Sequence, residues 1–260
     1  MEGVFLNLNW IQIPNGIVSV GSSLEEIESA NIFWRDRLLN PLYKKEFKNW
    51  LLKEYPKHEV HVRAFDITET LVTNELYLKY CRNNKNIPES ITSEEFQCDL
   101  NHPVWGVSYE EVNDFCEWLS NELGYKVRLP TEIEWEYAAR GETSREYPWG
   151  DEFDPNKCNT FESGIGTTTN VKFFENGKSF FGLYDMGGNV EEWVSTQYYK
   201  YDGGQDIRDD LTDVLGDSYP ILKGGSFIRG GDLCRISRRH GPHPDPEFRF
   251  TGFRLVREKR

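Results

Sequence analysis

The sequence predicts an irregular, loop-rich α+β fold, and three observations carry that prediction. Aromatic residues make up 14% of the 260-residue chain and come with 22 glycines. Helical periodicity is confined to a few short stretches, each with its own capping residues. The strand-like segments are short and bounded by turns. Such a chain builds neither a helical bundle nor a doubly wound parallel sheet. Its length and 38% hydrophobic content suffice for the core of one large domain or two small ones.

The elements follow in order. Residues 4–20 alternate apolar and polar around Trp10, Ile11 and Ile13, with Pro14-Asn15-Gly16 as a turn, the pattern of a hairpin. Residues 22–56 are charged and helical in pattern, with Ser23 and Glu26 placed as a capping box. A second helix is expected from Tyr43 to Tyr55, where Phe47, Trp50, Leu51 and Tyr55 recur at helical spacing. A strand is expected over Val60–Phe65, then a helix from Thr73 whose apolar face is Leu76, Tyr77, Tyr80 and Cys81. The clearest helix runs from Ser108 to Leu123. Ser108 with Glu111 starts it, Val112, Phe115, Cys116, Leu119 and Leu123 form one face, and Gly124 stops it. A shorter helix is capped by Thr131 with Glu134 and ends at Gly141; beyond it the sequence reads as turns and short strands.

The net charge of −13 argues against a general nucleic-acid binder or a protein held on anionic lipid. The charge is uneven. Residues 221–260 hold ten Lys/Arg against four Asp/Glu, a net of +6, which leaves −19 for the first 220 residues. No apolar run approaches the ~18–20 residues of a membrane span. The N-terminus lacks the basic start and apolar core of a signal peptide, so a cytoplasmic location is expected. The five cysteines, Cys81, Cys98, Cys116, Cys158 and Cys234, are odd in number and show no C-x-x-C spacing, which argues against a disulfide framework or zinc knuckle.

Eight phrases in order then point to one family: Trp10-Ile-Gln-Ile-Pro-Asn-Gly, Ile67-Thr-Glu-Thr-Leu-Val-Thr-Asn-Glu, Pro103-Val-Trp-Gly-Val-Ser, Arg128-Leu-Pro-Thr-Glu-Ile-Glu-Trp-Glu-Tyr-Ala-Ala-Arg-Gly, Tyr147-Pro-Trp-Gly-Asp, Gly182-Leu-Tyr-Asp-Met-Gly-Gly-Asn-Val-Glu-Glu-Trp, Lys223-Gly-Gly-Ser-Phe and Gly252-Phe-Arg-Leu-Val. Over nearly the whole chain these resemble the formylglycine-generating enzyme (sulfatase-modifying factor) family. The resemblance implies a C-type-lectin-like fold: two main helices, small twisted antiparallel sheets and long loops. It also implies a single domain over 1–260, with residues 22–56 as a charged helical insertion.

The resemblance admits several activities, and each has a residue test. The copper-dependent members hold copper(I) between two cysteines, as soft thiolates suit. The matching positions here are Arg229 and Cys234, so one thiolate is replaced by a cation and no copper is expected; Cys234 remains a candidate reactive thiol. The iron members use three histidines, partly from an added helical domain. The recognisable phrases begin within the first ten residues, which leaves no such domain in the chain. His58 and His61 are three apart in an expected strand and so face opposite ways. His240 and His243, with Asp245 or Glu247, could form a facial triad, which makes iron the lesser expectation.

The third test is binding. The matched C-terminal segment lines the central cleft in this family. Here it carries Arg229, Arg235, Arg238, Arg239 and Arg249 around His240 and His243, which suits an anionic small molecule or an acidic peptide partner. Finally, the resemblance implies a structural calcium at Asp185, Gly188, Val190 and Glu192, two carboxylates and two backbone carbonyls for a hard cation. A second calcium position, matching Asn159, lacks its downstream acid in Gly166-Thr-Thr-Thr-Asn. The sequence therefore predicts a binding module without copper, with a metal-dependent oxidoreductase as the alternative.

Overall fold

The structure, a computed structural model, describes residues 8–82, 86–96, 99–245 and 248–258. Its elements in order are β1 (Trp10–Ile13), β2 (Gly16–Val20), α1 (Leu24–Trp34), α2 (Phe47–Leu52), β3 (His58–Val62), β4 (Phe65–Thr68), α3 (Asn74–Cys81), α4 (Glu89–Thr92), α5 (Tyr109–Leu123), β5 (Val127–Arg128), α6 (Glu132–Arg140), β6 (Glu191–Gln197), α7 (Asp210–Leu215), β7 (Pro220–Lys223), β8 (Thr251–Gly252) and β9 (Val256–Glu258). The strands form three small sheets, ordered β1-β4-β9-β5, β2-β3 and β7-β6-β8. All pairings are antiparallel except β6 with β8. The mixed, loop-rich α+β class is the one the sequence predicts. No described helix is long and apolar enough to cross a membrane.

The helices form where local chemistry specifies them. Capping boxes open α1 at Ser23 and Glu26, α5 at Ser108 and Glu111, and α6 at Thr131 and Glu134. Each satisfies two backbone donors that a helix N-terminus otherwise leaves open. In α5 the 3.6-residue spacing buries Val112, Phe115, Cys116 and Leu119, and Gly124 ends it in the left-handed region at φ 71°. Phe115 stacks on Tyr77 of α3, ring centroids 5.2 Å apart, so the two helices share one core with Phe253.

Three expectations change. The hairpin expected over 4–20 is not formed: β1 pairs with β4 and β2 with β3, so the turn at Pro14 and Asn15 passes the chain from one sheet to another. Residues 4–7 of that stretch lie outside the described residues. The helix expected from Tyr43 to Tyr55 is split into a 3-10 segment over Pro41–Lys45 and then α2, whose fully buried apolar residues are Phe47 and Leu51. The strand expected over Val60–Phe65 is two strands in two sheets.

The pairing of β2 with β3 has a consequence for residues 22–56. Val20 pairs with His58, so the whole helical segment leaves and re-enters at adjacent positions of one two-stranded ribbon. It is held down from its far end. Trp34 of α1 is 2% exposed and packs with Ile27, Phe47, Leu51, Tyr147 and Cys234 in one cluster. Its Nε1 donates to the Tyr147 hydroxyl at 2.9 Å. Gly231 permits that docking, since a Cβ there would lie 2.1 Å from the Phe153 ring and 2.8 Å from Trp34. The segment thereby becomes a wall standing against the C-terminal basic stretch.

A candidate anion-binding cleft

Between that wall and the C-terminal stretch lies a cavity of about 330 Å³. Leu38, Leu39, Tyr43 and Trp50 line it from the wall; Arg229, Leu233, Arg238, Arg239, His240, His243 and Phe248 line it from the C-terminal side. Sequence reasoning reached the basic side only. The aromatic and aliphatic side comes from a segment about 190 residues away, and no local signal links the two.

A buried guanidinium must be matched by carboxylates, and most of the predicted arginines are used in this way. Arg235, fully buried, gives two bonds to Glu54 at 2.8 and 3.0 Å and one to Glu146 at 2.6 Å. Arg239 forks onto Glu132 at 2.8 and 3.1 Å and also donates to the carbonyls of Lys53 and Tyr199. Arg249 forks onto Glu89 and does not line the cavity. These three are structural cross-links between distant parts of the chain. Arg254 is another, giving 2.6 Å to Glu192.

Arg229 and Arg238 differ. The Arg229 guanidinium carbon lies over the Phe248 ring, 3.6 Å from its centroid. Its closest carboxylate contact is Nε to Glu191 at 3.6 Å, too long for a hydrogen bond, and Nε has no partner. Arg238 is 3% exposed. Its Nη2 lies 3.5 Å from Asp232, while Nε and Nη1 have no hydrogen-bond partner. Burial pushes the Asp232 carboxyl upward, only partly offset by Arg238 and Arg235.

His240 shares Glu191 with Arg229, its Nδ1 standing 2.7 Å from Glu191 Oε1. Burial pulls the imidazole below its ordinary value despite the Glu191 charge. For Glu191 burial acts in the opposite direction, but His240 and Arg229 together hold it below the usual carboxylate range. Glu191 was not among the sequence candidates. His243 accepts the Asp245 backbone N–H at 3.1 Å and stands 4.0 Å from Asp210. Nδ1 of both histidines is engaged, and Glu247, one of the two acids of the expected triad, lies outside the described residues. Among the described residues no three His, Cys, Asp or Glu side chains converge as a metal-binding group.

Cys234 is fully buried in the cluster beneath Trp34 and does not line the cavity. Burial, and then the neighbouring Cys158, push its thiol well above the ordinary value. Burial and the raised thiol both count against the reactive role expected of Cys234. The pairing with Cys158, 76 residues earlier, is another contact the sequence did not disclose.

The calcium candidates sit apart from the cleft, Asp185, Gly188 and Val190 in the loop before β6 and Glu192 within that strand. Asp185, Gly188 and Asn189 all take positive φ (54°, 84° and 69°), curling the backbone into a tight loop. At Gly188 a Cβ would meet the Asn159 backbone at 2.5 Å, so only glycine fits. Asp185 Oδ2 and Glu192 Oε1 are both buried with no hydrogen-bond partner. Burial pushes the Asp185 carboxyl up to about 8 and raises Glu192 as well. Two buried carboxylate oxygens left open, one in the loop and one in β6, fit a hard cation. Asn159 is already satisfied: its amide donates to Thr167 O and Asn189 Oδ1, and its Oδ1 accepts from Ser163.

Comparison with known proteins adds to this geometry. The sulfatase-modifying factor enzyme 1-like domain matches residues 8–259. The inactive C-alpha-formylglycine-generating enzyme 2 of Bos taurus is 27% identical over 96% of this chain and 88% of its own length. The formylglycine-generating enzyme of Streptomyces coelicolor is 33% identical over 79% of this chain and 82% of its own. Among solved structures, PvdO from Pseudomonas aeruginosa superposes with a TM-score of 0.69 at 21% identity, over 96% of this chain and 94% of that one.

Proposed function

This chain belongs to the sulfatase-modifying factor enzyme 1-like family, and we propose that within it the chain is a binding module that captures an anion at Arg229 and does not oxidise cysteine through copper. One observation carries the reading: the Arg229 guanidinium is held over Phe248, on the lining of a cavity, with its nearest carboxylate 3.6 Å away and shared with His240. A guanidinium whose one ion pair, with Glu191, falls outside hydrogen-bond range keeps its donors for carboxylate or phosphate oxygens. The buried, protonated Cys234 and the cation at the matching position of the second cysteine support the absence of a bis-thiolate copper site. The similarity to an inactive relative agrees with the same view.

Asp185 and Glu192, with the carbonyls of Gly188 and Val190, would hold a calcium ion. When bound, that ion neutralises two buried carboxylates and cross-links the loop to β6. The four described cysteines are all free thiols, which suits a cytoplasmic protein.

Two measurements test this. Acetate or phosphate titrated into the protein should bind, and Arg229→Gln should weaken that binding about tenfold or more; equal binding by the variant refutes the site. Removing calcium from a protein held at about 100 times its Kd should cost roughly 2.7 kcal/mol. A melting temperature unmoved by chelator refutes the calcium assignment.

A further inference from the structure

The two sides of the cleft differ in chemistry, and the difference narrows the ligand. The helical wall offers Leu38, Leu39, Tyr43 and Trp50. Tyr43 and Trp50 brace each other edge to face, centroids 5.2 Å apart. Leu39 remains 45% exposed and Tyr43 37% exposed, although both line a concavity. Leu39 also reaches the basic side: a Cβ at Gly230 would lie 3.8 Å from its Cγ. Exposed apolar groups in a concavity next to a guanidinium are surface that a ligand covers with gain.

Charge sets the other limit. Lys53 pairs with Asp209 and Arg239 with Glu132, while buried Arg238 meets Asp232 only at 3.5 Å and keeps Nε and Nη1 without hydrogen-bond partners. Asp210 adds a carboxylate on the lining, within electrostatic reach of Lys53 and 4.0 Å from His243. Against this background Arg229, whose ion pair with Glu191 lies at 3.6 Å and outside hydrogen-bond range, supplies one fork. One fork matches one carboxylate; a phosphate dianion calls for several cations or amides and would meet the three aspartates. The cavity volume, about 330 Å³, is at the low end for small-molecule sites, enough for one compact group.

We propose that the cleft is a receptor for a monocarboxylate carried on a compact apolar group, with the carboxylate on the Arg229 fork and the apolar group against Leu38, Leu39, Tyr43 and Trp50. This rests on the anion-binding reading above and specifies its ligand class. The carboxylate can belong to a small molecule or to the C-terminus of a peptide with a hydrophobic last residue.

Calorimetric titration of the full chain tests it with 3-phenylpropionate, acetate, 3-phenylpropionamide and phosphate, and with a hexapeptide ending in phenylalanine as free acid or amide. The expected result is that 3-phenylpropionate binds about tenfold or more tightly than acetate, its own amide or phosphate. Leu39→Asp, at a half-exposed position, should abolish the preference over acetate while acetate still binds. A free-acid hexapeptide that binds as tightly as 3-phenylpropionate, with its amide silent, assigns the ligand to a chain terminus; a silent hexapeptide assigns it to a free small molecule. Acetate or phosphate binding as well as 3-phenylpropionate overturns the ligand class and leaves the anion site standing. Preference retained in Leu39→Asp overturns the placement of the apolar group. No binding by any anion overturns both this inference and the reading it rests on.

Discussion

Replacing Glu54 with alanine should loosen the helical wall from the rest of the molecule. Glu54 is fully buried near the end of the 22–56 segment and accepts both terminal nitrogens of Arg235, at 2.8 and 3.0 Å, and the Ser22 hydroxyl at 2.7 Å. At an effective dielectric near 20, a pair at that distance has a gross attraction of about 6 kcal/mol, much of it offset by desolvation. Removing one partner of a buried pair costs about 3–5 kcal/mol, because the other charge stays buried. Arg235 retains Glu146, which is 38% exposed at its side chain, so the lower end applies, about 3 kcal/mol. For a chain of this size that lowers the melting temperature by roughly 6–12 °C. Glu54→Gln keeps an acceptor but loses the charge, and about half the cost is expected. Urea unfolding at unchanged slope is the assay. If Glu54→Ala lies within about 0.5 kcal/mol of the parent, the anchoring argument is wrong.

Other consequences follow from the same structure. Trp34→Ala should destabilise by about 3–5 kcal/mol in denaturant unfolding, since it empties the space between α1 and Gly231; a neutral effect would mean that the wall docks elsewhere. Burial raises the Glu132 carboxyl, but Arg239 and Lys223 outweigh it and hold the carboxyl below its ordinary value of 4.5. The native state then binds fewer protons than the unfolded one, so this stability is complete above pH 4.5 and is lost as pH falls below it. Glu132→Gln should flatten the acid limb of a stability–pH curve in that range, and an unchanged limb would contradict the assignment. Cys158 and Cys234, 1% and 0% exposed, should label with thiol reagents only as fast as the protein opens. Rapid labelling of Cys234 in native buffer, read by peptide mapping, would show that it is not buried.

What the sequence disclosed was local. Ser23, Ser108 and Thr131 start helices because their partners are three residues away, and the spacing in α5 states which face is buried. Pairings over long separations were hidden. Arg235 meets Glu54 across 181 residues and Arg239 meets Glu132 across 107, so which acid each C-terminal arginine meets, and which arginines stay on a cavity lining, is visible only in the folded chain. The hairpin expected at Pro14 failed for a related reason: a short strand does not name its partner, and β2 finds β3 on the far side of the helical segment. The residues of the proposed calcium site were named through the resemblance, but the positive φ at Asp185, which a non-glycine residue rarely adopts, appears only in the folded chain.

The account turns on Arg229 as an available anion donor. The most direct test compares acetate and 3-phenylpropionate binding to the parent protein and to Arg229→Gln, with circular dichroism confirming that both are folded. The account predicts binding by the parent and a loss of about tenfold or more in the variant. Equal affinity for the two proteins, or no anion binding by the parent, would contradict it.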